Sequence, residues 1–210
     1  MAKKNDQISF PTSDIFEFKI TLRRIKPKIW RRFAVPGDYT LADLHEVIQI
    51  VMGWLGGHLH QFIINEKFYN PHEDDDLDLE GIEENTGRLN KLFKDPGAMF
   101  EYEYDFGDGW DHELKLMKIY PAKPDTKYPV CLAGERACPP EDCGGPWGYA
   151  NLLKVISNPD HPEYENMRDW LGDYYDFEKF DIEFINETLQ KSAFNPNVIP
   201  FPGRSARKKK

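Results

Sequence analysis

Three histidines, a group of aspartates and a run of arginines are the residues of this 210-residue chain whose types and spacing suit chemistry. His58 and His60 are two apart, so on a strand they project to one side, and His112 stands near Asp105, Asp108 and Asp111. The three imidazoles with the Asp108 carboxylate would suit zinc or another divalent metal, and with it a metal-dependent, nuclease-like hydrolase. The competing reading places His60 in register with Phe62, and His112 with Trp110 and Leu114, as hydrogen-bonded members of an apolar face. Asp105 or Asp108 followed by Glu113-x-Lys115 is also the acid and lysine fragment with which nucleases hold magnesium. Glu17-x-Lys19 repeats that fragment, and Glu113 and Lys115 alternate away from the Trp110 and His112 face, which suits a solvent-facing ion pair.

Seven basic residues and no acid lie between Lys19 and Arg32. Lys19, Arg23, Arg24, Lys28, Trp30, Arg31 and Arg32 are therefore the candidate contacts of a basic hairpin with DNA, RNA or an acidic protein, the cations meeting phosphates and Trp30 stacking on a base. The alternative is a solvated face whose cations pair with the chain's own 36 acids, eight of which fall between Glu73 and Glu84. No catalytic residue stands out. The chain has no G-x-S-x-G elbow, phosphate loop, H-E-x-x-H or complete dinucleotide glycine motif. Cys131, Cys138 and Cys143 have gaps of six and four residues, which fit no zinc knuckle. They are expected to be structural thiols.

A net charge of −9 excludes a protein that coats nucleic acid or anionic membrane with its whole surface. The last eight residues carry five positive charges, so the rest of the chain stands at −14 and any such binding must be local. No window approaches 18 apolar residues and no secretory signal is present, so the expectation is a cytoplasmic protein with no membrane partner. Residues 1–13 are expected to be flexible, 14–190 to form one domain with an acidic loop at 72–87, and 191–210 to be a Pro-rich, then basic, disordered tail.

Period-two alternation at Phe16, Phe18, Ile20 and Leu22, then a turn at Lys26-Pro27 and the segment from Trp30, predict a hairpin. Thr40 and Asp43 read as a capping box opening a helix with Leu41, Leu44, Ile48 and Val51 on one face. His58 to Tyr69 reads as a strand pair in which His58, His60, Phe62 and Ile64 share a face. Phe100 to Leu116 reads as a hairpin turning at Gly107-Asp108-Gly109. Helical spacing returns over 149–156, 164–171 and 182–189. The fold class expected is α+β, an antiparallel or mixed sheet of about six strands with helices packed on one face.

The segments IKPKIWRRFAVP, HLHQF, YEYDFGDGWDHEL and CLAGERACPPEDCGGPWGY, in that order, resemble the plasmid pRiA ORF-three-like family over Asp14 to Leu189. The resemblance implies an α+β domain without an established activity, and some members carry the label TnpR resolvase through mobile elements. A serine recombinase needs a nucleophilic serine supported by arginines, and no serine outside the tail stands beside a basic cluster. The functional expectation is a non-catalytic binding module of mobile-element or plasmid-accessory type.

Overall fold

The alternation of large apolar residues in β1 (Ile15–Leu22) directs Phe16, Phe18, Ile20 and Leu22 to the core, and His60–Ile64, Met99–Tyr104 and the first half of Trp110–Tyr120 alternate in the same way. The computed structural model describes residues 13–71, 80–172 and 175–192. The centre of the acidic segment, the basic tail and most of the N-terminal segment lie outside these. Strands β2 (Trp30–Pro36), β3 (His60–Ile64), β4 (Lys67–Asn70), β5 (Ile82–Glu83), β6 (Met99–Tyr104), β7 (Trp110–Tyr120) and β8 (Val130–Glu135) join β1 in one sheet. Its order is β5-β4-β3-β6-β7-β1-β2-β8. All neighbouring pairs are antiparallel except β4 with β5.

Eight strands exceed the six expected. The two-residue β5 is hidden in a run of acids, and β8 lies inside a segment whose prolines, glycines and cysteines read as loop. His58 also departs from the expected strand: Gly56 and Gly57 delay pairing until His60, so His58 stands in the preceding loop.

Helices α1 (Leu41–Met52), α2 (Leu89–Leu92), α3 (Gly145–Ile156), α4 (Tyr164–Leu171) and α5 (Ile182–Ser192) complete the fold. The predicted capping box forms, Thr40 and Asp43 exchanging side-chain and backbone hydrogen bonds at the start of α1. Leu41, Leu44, Val47, Ile48 and Val51 of α1 pack on the inward residues Phe18, Ile20, Phe33, Phe62, Tyr102 and Leu114 of the sheet, joined by Leu152 of α3 and Ile185 and Leu189 of α5.

Arg31 occupies an inward position of β2 and is only 2% exposed. Its guanidinium donates to four carbonyls: Nε to Val51 (2.8 Å), Nη1 to Trp30 and Glu135 (both 2.8 Å), and Nη2 to Arg136 (2.7 Å). Phe180 lies 4.7 Å from its carbon, ring centre to Cζ. Burial pulls its pKa below the ordinary arginine value, yet the fork of donors is satisfied in place of water. Val51 belongs to the last turn of α1, where carbonyls lack intrahelical partners, so the cation also closes a helix C-terminus.

Removing that side chain takes the donor from four carbonyls, that of Val51 buried and those of Trp30, Glu135 and Arg136 part-buried. Arg31→Met should therefore lower unfolding stability by about 3–5 kcal/mol, whereas Arg32→Gln, on the opposite face of the same strand, should cost at most about 1 kcal/mol. Urea titrations of the two variants check this, and equal losses would contradict the clamp.

Candidate functional site

On the sheet's second face the strand registers arrange the charges in rows. Glu103 of β6 stands opposite Asp111 of β7, and Glu101 opposite Glu113. Farther along, Met99 faces Lys115, Lys115 faces Lys19, and Lys19 faces Arg32. Like charges directly opposite repel, so each row needs relief. In the acidic half it is built in: Arg23 lies 2.9 Å from Glu101 and 3.9 Å from Glu113, Arg24 lies 2.6 Å from Asp111, and Gln61 donates to Glu103 at 2.7 Å.

In the basic row relief is partial. Arg32 lies 3.4 Å from Glu17, and the Lys19 ammonium rests 4.5 Å above the Trp30 ring. Lys115 is exposed and has no ion-pair partner among the described residues; its expected partner Glu113 faces Arg23 instead. The seven residues of the expected basic hairpin thus separate into three groups. Arg31 is inside, Arg23 and Arg24 are bound to acids, and Lys19, Trp30 and Arg32 meet on the open face, with Lys28 exposed at the turn. Lys115 is absent from that set although its alternation is legible, because it lies 96 residues after Lys19, the residue it pairs with.

The four residues proposed from sequence as metal ligands do not share a centre. His60 is buried with Nε2 2.9 Å from Glu84 Oε2, and its ring stacks on His45 at 3.5 Å. His112 is fully buried among Trp54, Tyr102 and the strand backbone, its Nδ1 3.1 Å from the Tyr102 carbonyl. Asp108 accepts from the Gly144 N–H at 3.2 Å, at the start of α3. Gly145, next along, has φ +67°, and a Cβ there would collide with the Asp108 carbonyl, so the β6–β7 turn and the start of α3 are pressed together. His58 alone of the four has two carboxylates within 4 Å, those of Asp105 and Asp142, and this is the one group of three His, Cys, Asp or Glu among the described residues that meets metal-binding spacing. The cysteines are free, and burial pushes the Cys131 thiol up to about 11 and the Cys143 thiol up to about 12. Such thiols are poor nucleophiles near neutrality.

These features define an α+β protein with a helix-covered inner sheet face, an open charged face and a polar cluster at the strand ends. The chain belongs to the family described as plasmid pRiA4b ORF-3-like protein, whose model matches residues 14–184. It is 33% identical over 183 residues to "Uncharacterized protein y4hQ" of Sinorhizobium fredii, covering 86% of this chain and 93% of that one. A crystal structure of a protein of unknown function, MM3350 from Methanosarcina mazei Go1, is 39% identical with a TM-score of 0.74, covering 82% of this chain and 98% of that one. No helix among the described residues is long and apolar enough to cross a membrane.

Burial holds the His112 pKa at about 3, with the Arg23 charge adding to the fall, and burial next to His60 holds His45 well below its ordinary value. Unfolded, both imidazoles take a proton near 6.5. Between pH 6.5 and about 3 the unfolded chain therefore binds more protons, and stability falls as pH is lowered through that window. His112→Gln should flatten the fall in urea midpoint between pH 7 and pH 5; an unchanged slope would contradict the assignment.

Proposed function

We propose that the chain is a non-catalytic binding protein that takes single-stranded nucleic acid along the Lys115, Lys19 and Arg32 row, with Trp30 as the stacking ring. The carrying observation is the row itself: three cations in direct register across β7, β1 and β2, one of them without an ion-pair partner among the described residues. Adjacent strands are about 4.8 Å apart, so the row is a strip about 10 Å long. Packing cations this way opposes folding slightly, and a polyphosphate strand would reverse the sign of that contribution. An open sheet face cannot enter a duplex groove but admits splayed bases, which suits a single strand. Glu101, Glu103, Asp111 and Glu113 confine such a strand to the basic end, consistent with a protein whose net charge is −9.

Fluorescence anisotropy with labelled single-stranded DNA and RNA tests the reading. Wild type should bind at low salt, with log K falling against log salt. Lys115→Gln and Arg32→Gln should each reduce that slope by about 0.7, and Trp30→Ala should weaken binding by about 1–3 kcal/mol. No retention of either oligonucleotide at low salt overturns the proposal, as does binding that is indifferent to all three substitutions. Retention of polyglutamate in place of oligonucleotide would reassign the face to an acidic protein partner.

A further inference from the structure

We infer that His58, Asp105 and Asp142 form a binding site for a first-row divalent transition metal, positioned by Glu141 and separate from the open sheet face. The three residues come from three segments: the loop after α1, the β6–β7 turn and the loop before α3. One ligand atom from each lies within 4.8 Å of the others. His58 Nδ1 is 3.6 Å from Asp105 Oδ2, and His58 Nε2 is 3.5 Å from Asp142 Oδ1. Those separations exceed a good hydrogen bond. Each is close to the roughly 3.3–3.6 Å edge of a coordination tetrahedron whose metal bonds are about 2.0–2.2 Å, although the two run to different ring nitrogens and so supply one such edge at a time. Only one imidazole nitrogen binds a given ion, and the second carboxylate is then reached by a small side-chain movement at the exposed Asp142.

The surroundings prepare these groups for the task. Asp105 is 8% exposed, and its Oδ1 accepts from the N–H groups of Gly107 (3.1 Å) and Asp108 (3.2 Å), which leaves Oδ2 turned toward His58. The Tyr104 ring meets the His58 ring edge-on at 5.7 Å. Most telling is Glu141, whose Oε1 accepts from the Tyr104 hydroxyl at 2.7 Å and from the Leu55 N–H at 3.1 Å. Tyr104 immediately precedes Asp105, Glu141 immediately precedes Asp142, and Leu55 lies three residues before His58. One carboxylate oxygen therefore gathers all three ligand-bearing segments. Trp54 Nε1–H donates to the Pro139 carbonyl at 2.9 Å and ties two of them a second time.

One imidazole and two carboxylates offer a borderline nitrogen and two hard oxygens, a set suited to Zn²⁺, Mn²⁺ or Co²⁺, and the two negative charges match a dication. Three protein ligands leave a coordination position, and the part-exposed His58 side chain opens it to water or to a ligand oxygen.

The test uses the full chain, stripped with chelator and titrated with Co²⁺ and Zn²⁺ by absorbance and calorimetry. One equivalent should bind, with Co²⁺ ligand-field bands. His58→Ala and Asp142→Asn should each weaken binding at least tenfold, and Asp142, being exposed, can change without loss of fold. Glu141→Ala should weaken binding roughly 10–100-fold and alter the Co²⁺ spectrum, while Glu141→Gln, which keeps the accepting oxygen, should largely restore both. Absence of stoichiometric binding overturns the inference, and so does binding unaffected by His58→Ala and Asp142→Asn, which would put the ion elsewhere. An unaltered spectrum in Glu141→Ala removes the positioning role.

Discussion

The buried guanidinium of Arg31 sets the spacing on which the rest of the molecule depends. Its hydrogen bonds reach the last turn of α1 through Val51, the end of β8 through Glu135, and the next residue, Arg136. From Val51 the chain runs to Trp54, Leu55 and His58, and from Arg136 to Pro139, Glu141 and Asp142. Two segments that meet again at the Trp54 to Pro139 and Leu55 to Glu141 hydrogen bonds therefore diverge from one cation. A buried charge that lost a carbonyl would keep its desolvation cost without compensation, so the clamp holds both departures to one geometry.

Inner and outer faces handle charge by different means. Inside, apart from Arg31, burial keeps His112 and His45 neutral, so their rings can pack against Trp54, Tyr102 and His60 as aromatic planes with polar rims. Outside, charge is kept, and the registers decide what it meets. Arg23 answers two glutamates that would otherwise face each other bare, and Arg24 is held both by Asp111 and by the Gly109 carbonyl at 2.7 Å. The net charge alone could not show this, because it sums rows that the sheet separates.

Much of the fold was legible in the sequence. Strict alternation marked β1, β6 and β7, and the Thr40 to Asp43 box marked the start of α1, because those signals are local. What escaped was non-local. Charge in a linear run says nothing about Arg31 standing inward while Arg32 stands outward; only the pleat, together with carbonyls contributed 20 and 104 or more residues away, makes that position tolerable. Antiparallel pairing with β2 from Trp30 to Ala34 makes β8 a strand despite its glycine and cysteine. His58 and Asp142 are 84 residues apart, and neither sits in a periodic element, so no spacing rule could join them. Lys115 was assigned to Glu113 because they are neighbours in sequence, whereas the register gives Glu113 to Arg23.

The placement of the two polar regions bears on whether they could act on one ligand. Lys115 stands opposite Met99 at the first residue of β6, and Asp105 follows the last residue of that strand. Six residues at about 3.3 Å each separate them by about 20 Å along the sheet, about two and a half times the roughly 8 Å screening length at physiological ionic strength. The rows Glu101 with Glu113 and Glu103 with Asp111 occupy the ground between. A phosphate strand following the basic row would have to cross both acidic rows to reach the His58 group, and each crossing is repulsive. A metal at His58 is therefore poorly placed to cut a strand held at Lys115. On the two proposals made above, the strand and the metal would occupy separate regions and not a single nuclease centre, with the acidic rows lying between them.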